Sequence, residues 1–179
     1  MRILVISDTH GEMGKVYEVY RSLKDIDMIV HLGDLKSDAN DLEEKLGIEV
    51  AGVKGNMDGA RTKEDSSMII NTEAGKILLT HGHADGVNYN LTQLYYRALE
   101  EGCVAAFFGH THVPHLEESG EAILLNPGSL TRPRDGSDGS YAIVETGKDS
   151  IKCDIRYYRK STKPRGGYIK GLINYSDRF

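Results

Sequence analysis

Apolar residues gather in short runs that polar, glycine-bearing segments interrupt. Ile3–Ser7 (ILVIS), Met28–Leu32 (MIVHL) and the segment IEVAGV at 48–53 read as strands buried on both faces. Between the first two, Val16, Val19, Tyr20 and Leu23 recur at helical spacing. A second, shorter helix is predicted to end at Gly47, with Ser37 or Asp38 as its cap. Strand–helix–strand–helix–strand is the order of an α/β sheet.

The rest of the chain is less regular. Residues 67–80 (SMIINTEAGKILLT) predict a hairpin turning at EAGK. Asn90–Gly102 is an amphipathic helix with Leu91, Leu94, Tyr95 and Leu99 on one face. VAAFF at 104–108 is another buried strand. Residues 114–126 read as strand, glycine turn, strand, and 140–158 as a final hairpin turning at TGKD. The pattern predicts one domain over residues 1–160 and a C-terminal extension over 161–179. That extension carries Tyr168, Ile169, Leu172, Ile173, Tyr175 and Phe179 beside a mild basic excess. Such apolar groups predict docking onto the domain or onto a partner subunit, and hence a homo-oligomer.

Composition narrows the class. With 179 residues, 39% hydrophobic and 27% charged, the chain can build a real core. Its net charge of −5 argues against stable binding of long nucleic acids, which needs a basic surface. Cys103 and Cys153 lie far apart with no CxxC, which fits a reducing, cytoplasmic setting. No apolar run has the length of a signal-peptide core or a membrane span, so no membrane association is expected.

The candidate chemistry sits at the strand ends. ILVIS runs into Asp8-Thr9-His10, and MIVHL into Gly33-Asp34. IEVAGV runs into Gly55-Asn56-Met57-Asp58, KILLT into His81-Gly82-His83, and VAAFF into Gly109-His110-Thr111-His112. Ligand sites of open α/β sheets lie beyond the carboxyl ends of the strands. Asp, Asn and His are oxygen and imidazole donors, suited to divalent first-row ions such as Mn2+, Fe2+, Ni2+, Co2+ or Zn2+. Asp8, His10, Asp34, Asn56, His81, His110 and His112 are too many for one ion. Shared through a bridging carboxylate, they serve two.

The ordered motifs DTH, GD, GNMD, HGH and GHTH, extended by NPGS at Asn126–Ser129, resemble the calcineurin-like metallophosphoesterase family. They look like its small bacterial and archaeal phosphodiesterase branch, to which the retromer small subunit is structurally similar. The resemblance implies a four-layer αββα sandwich, with two mixed β-sheets face to face and helices outside. It implies a first ion held by Asp8, His10 and His112, a second by Asn56, His81 and His110, and Asp34 bridging. It also implies hydrolysis of a small phosphodiester by a hydroxide bridging ions about 3.5–4 Å apart.

One position departs from the pattern. Many relatives read GNH, where the histidine helps protonate the leaving group; this chain has Met57. His83 and Asp58 are candidate substitutes, and diesters with acidic leaving groups are the expected substrates. Arg132 and Arg134 are candidate phosphate contacts. His31, inside its strand, is expected in the core, and His115 in solvent. The rival readings are a protein-interaction scaffold of the same fold and a nuclease. The intact donor set argues against the first, and the acidic charge against the second for long polymers.

Overall fold

The computed structural model describes residues 1–118 and 120–159. Among the described residues there are ten strands and three α-helices. Strands β1 (Arg2–Ile6), β2 (Met28–His31) and β3 (Val50–Gly52) are separated by helices α1 (Gly14–Ser22) and α2 (Lys36–Leu46). The hairpin β4 (Ser67–Thr72) and β5 (Gly75–Thr80) follows, then α3 (Thr92–Glu100). Last come β6 (Cys103–Phe108), β7 (Pro114–Glu117), β8 (Ile123–Pro127), β9 (Ser140–Gly147) and β10 (Ser150–Tyr157).

The strands form two five-stranded mixed sheets, in the orders β10-β9-β1-β2-β3 and β4-β5-β6-β8-β7. β1, β2 and β3 run parallel, as do β5, β6 and β8; β4, β7, β9 and β10 run antiparallel to their neighbours.

Period-two alternation explains the layers. Ile3 and Val5 of β1 point into the layer between the sheets, with Met28, Val30, Ile77, Leu79, Ala105, Phe107 and Leu125. Leu4 and Ile6 point the other way, against Val16 and Val19 of α1 and Leu42 of α2. On the far side, Leu78, Ala106 and Phe108 meet Leu94 and Ala98 of α3. Because both faces of each sheet are covered, the central strands are apolar throughout. The result is the four-layer αββα sandwich. Among the described residues, no helix is long and apolar enough to cross a membrane.

One helix start differs from expectation. α2 begins at Lys36, so Ser37 and Asp38 lie inside its first turn and neither caps it. The Asp58 carboxylate, from a separate loop, accepts the Lys36 N–H at 2.8 Å instead. The other end follows the sequence: Gly47 adopts a left-handed conformation (φ 63°) and its N–H bonds Glu43 O. The C-terminal extension at 161–179, and with it the oligomer expectation, lies outside the described residues.

Candidate metal centre

The carboxyl ends of the parallel strands in both sheets meet at one edge. The Gly109 N–H donates to His81 O, the His110 N–H donates to Asp8 Oδ2 at 2.9 Å, and His81 Nδ1–H donates to Leu32 O at 2.8 Å. Two glycines permit the approach. A Cβ at Gly109 would stand 2.0 Å from Ser7 Oγ, and one at Gly55 2.3 Å from the Asp34 backbone nitrogen.

The turns that carry the donors are strained. Asp8, His10, Asp34, His110 and His112 have φ of 54°, 50°, 79°, 68° and 60°. A non-glycine residue there costs about 1–3 kcal/mol and persists only when its surroundings enforce it. Here the enforcement is visible. Ser129 Oγ and Thr131 Oγ1 donate to Asp8 O at 2.9 and 3.1 Å, Thr131 Oγ1 also lies 3.1 Å from Thr9 O, and Asn126 Nδ2 donates to Gly109 O at 2.9 Å. The NPGS segment thus pins the backbone of two donor loops.

Asp8, His10 and His112 form one compact group of ligand atoms, and Asp8, Asp34 and His81 a second. His112 Nδ1–H donates to Arg132 O at 2.7 Å. That turns its Nε2 toward Asp8 Oδ1 at 3.3 Å and His10 Nε2 at 3.4 Å. His10 Nδ1 approaches Asp34 Oδ2 to 2.7 Å, yet the pair is not aligned as a hydrogen bond, and that buried oxygen has no hydrogen-bond partner. In the second group, His81 gives its Nδ1–H to Leu32, so its Nε2 lone pair faces Asn56 Oδ1 at 2.9 Å. Lone pairs aimed at one another, beside a buried carboxylate oxygen with no hydrogen, are what a divalent cation would resolve. The donor set fits such ions.

The electrostatics agree. Burial alone would raise the Asp8 carboxyl, but the His112 hydrogen bond and the charge at His81 outweigh it and lower it. Burial raises Asp34, with the charge of Asp8 adding to it and His10 opposing. Burial lowers His81, and it lowers His110 to about 4 with the charge at His81 assisting. For His112 burial also pushes down, but the hydrogen bond and charge of Asp8 win and raise it. His81 and His110 are therefore neutral imidazoles near pH 7, the form that binds metal.

Not every candidate converges. Outside both compact groups, His110 has its ring centroid 5.1 Å from that of His81, and its Nε2 meets Asn88 Nδ2 at 2.9 Å. His83 stacks 5.3 Å from His81, but its Nε2–H donates to Ala60 O at 2.9 Å. Asp58 Oδ2 is held by the Gly55 and Lys36 N–H groups. Met57 is 63% exposed. The exposed Arg132 guanidinium lies 3.3 Å from Glu12, while its carbonyl orients His112. His115 is half-buried beside Phe108 and 3.6 Å from Glu117, contrary to the solvent-facing expectation.

His31 is fully buried, as expected, and belongs to a network that the sequence did not reveal. The Gly33 N–H donates to His31 Nδ1, His31 Nε2–H to Thr9 Oγ1 at 2.7 Å, and Thr9 Oγ1–H to Asp38 Oδ2 at 2.5 Å. Asp38 also accepts the Gly11 N–H. This chain ties the Asp8–His10 loop to the Gly33–Asp34 loop and to α2. The alternation of donor and acceptor types is its signal, but nothing local in the sequence says that these residues meet.

Comparison with known proteins places the site in context. Residues 1–149 match the family model of the calcineurin-like phosphoesterase superfamily domain. The chain is 34% identical to the probable metallophosphoesterase YsnB of Bacillus subtilis over 97% of its length and 98% of that protein's. It is 28% identical to the phosphodiesterase YfcE of Escherichia coli, covering 81% of this chain and 88% of that one. The crystal structure of a conserved uncharacterized protein of Streptococcus pneumoniae, a predicted phosphoesterase, superposes with a TM-score of 0.71 at 34% identity, covering 87% and 88% of the two chains. Vps29 of Entamoeba histolytica, solved in complex with Zn2+, shares the fold with a TM-score of 0.68 at 23% identity, covering 88% of this chain and 99% of that one.

Proposed function

The chain belongs to the calcineurin-like phosphoesterase superfamily, and from that membership and the geometry of the strand ends we propose a two-metal hydrolase of small phosphodiesters. One observation carries the reading. The buried Asp34 Oδ2, without a hydrogen-bond partner, stands 2.7 Å from a donor of the first group while Asp34 itself belongs to the second. A carboxylate so placed is suited to bridge two cations.

Asp8, His10, Asp34, Asn56, His81, His110 and His112 would hold two divalent ions, Mn2+ or Ni2+ first, which would supply a hydroxide nucleophile near neutral pH and offset charge on the phosphate. The chain's own residues prepare that chemistry. Leu32 O and Arg132 O accept the Nδ1–H of His81 and His112, so each ring turns its Nε2 toward the site. Ser7 Oγ and the His110 N–H hold Asp8 Oδ2, which keeps that carboxylate ionised and aimed.

The leaving-group side favours acidic leaving groups. Met57 carries no proton to give. The Nε2–H of His83 is engaged by Ala60 O, and Asp58 Oδ2 accepts two backbone N–H groups. An acidic leaving group needs no protonation. The likeness to YfcE, a phosphodiesterase, points the same way. The test compares a bis-aryl phosphodiester with the aryl monophosphate on protein loaded with Mn2+ or Ni2+. The diester should win by at least about tenfold in kcat/KM; preference for the monoester would refute the reading.

A further inference from the structure

The donor histidines do not share one kind of support. His81 and His112 each give Nδ1–H to a backbone carbonyl, of Leu32 and Arg132, and each has Nε2 free for an ion. His110 is held from the opposite edge, and by a side chain. Asn88, on the exposed loop before α3, meets its Nε2 at 2.9 Å. With Nε2 engaged there, Nδ1 is the nitrogen left to take a metal.

We propose that Asn88 is the positioning residue for His110, setting which ring nitrogen carries the proton and so how well the second ion is held. This rests on the two-ion reading above. A side-chain amide can do what a backbone carbonyl cannot: it can donate or accept at the same position. As the structure stands, Asn88 Nδ2–H donates to His110 Nε2, so a neutral ring carries its proton on Nδ1. A half-turn of the amide presents Oδ1 to the same atom, which then carries the proton and leaves Nδ1 as a lone pair. Asn88 is exposed, and the ring need not move for that turn. The fixed carbonyls of Leu32 and Arg132 allow only one tautomer each. Asn88 allows both, so His110 has a metal-free and a metal-ready form.

Three variants separate this from a merely structural role. Asn88→Leu removes both donor and acceptor, Asn88→Asp keeps only the acceptor, and Asn88→Gln keeps the amide. The first readout is calorimetric titration of chelated protein with Mn2+. Asn88→Leu should weaken the second equivalent by about 10–100-fold and spare the first. Asn88→Asp should hold it at least as tightly as the wild type. The second readout is the 15N shift pair of the His110 ring. It should report Nδ1–H in the metal-free wild type and Nε2–H in metal-free Asn88→Asp. Unchanged second-ion affinity in Asn88→Leu, or tighter binding there, overturns the proposal while leaving the two-ion reading intact. So does an Nδ1–H ring in Asn88→Asp. A wild type that takes up no second ion overturns both.

Discussion

His81 Nε2 and Asn56 Oδ1 lie 2.9 Å apart, and neither has a hydrogen to offer the other. His81 spends its proton on Leu32 O, burial lowers its pKa, and the Asn56 oxygen is an acceptor only. Such a contact is repulsive unless a cation is shared. Asn56→Ala should therefore relieve a strain in the metal-free protein and remove a ligand from the loaded one. Expected outcomes are an unchanged or slightly raised metal-free melting temperature, and a loss of at least about 100-fold in kcat/KM with Mn2+. Thermal scans with and without chelator, beside the diester assay, check both.

The Thr9–Asp38–His31 network predicts a linked loss of stability and metal affinity. Thr9→Val keeps the shape but removes the hydroxyl that joins His31 to Asp38. Leaving such buried groups unmade costs about 1–3 kcal/mol. Urea midpoints of the metal-free protein should show it, and a Mn2+ titration should show weaker binding of the ion at Asp8 and His10. An isosteric variant as stable as the wild type would mean that the network carries no weight.

The same network sets a pH dependence. Burial pushes His31 from 6.5 down to about 4, against the charges of Asp38 and Asp8. Between those values the unfolded chain binds a proton that the folded chain does not. The contribution of neutral His31 is thus complete above pH 6.5 and is lost as pH falls toward 4. On going from pH 7.5 to pH 5, the metal-free wild type should lose on the order of 2 kcal/mol more than His31→Gln. Chemical denaturation of both at the two pH values measures the difference; equal losses would contradict it.

Arg97 of α3 anchors the loop that follows His81. Its guanidinium meets both oxygens of the buried Asp85 at 3.1 and 3.2 Å, and Ser67 and Glu101 besides. Arg97→Leu leaves the Asp85 charge buried with the Thr80 hydroxyl at 2.9 Å and Lys63 at 3.7 Å. The expected cost is about 3–5 kcal/mol. The double variant Arg97→Leu with Asp85→Leu should recover much of it, as equilibrium unfolding would show.

Met57 offers a gain-of-function test. Its side chain is exposed, so Met57→His should fold normally. A histidine there supplies a leaving-group proton donor where Met57 supplies none. Rates on alkyl diesters should rise by about 10–100-fold, with aryl diesters little changed. A uniform change across both substrate types would point away from proton donation.

Much of this was legible in the sequence because it is local. The apolar runs ILVIS, MIVHL and VAAFF specify doubly covered strands, and each hands its donor residues to the turn at its end. Helix α1 and the EAGK hairpin follow from spacing and turn chemistry. What the sequence hid depends on contacts between distant segments. Asp58 caps α2 from 22 positions beyond Lys36, displacing Ser37 and Asp38 from that role. Asn88 sits in GVNYN, which carries no pattern, and matters only because the loop passes His110. Thr9 lies inside a recognisable motif, yet its partners His31 and Asp38 are 22 and 29 positions away. His115 is half-buried because the outer face of β7 meets Phe108.

The central claim is that the strand ends hold two ions with Asp34 between them. The most direct measurement is elemental analysis of the protein, chelated, reloaded with Mn2+ and freed of excess metal. The account predicts two ions per chain in the wild type, one in His112→Ala, and fewer than one in Asp34→Ala. Equal metal content in all three proteins, or no metal in any of them, would contradict it.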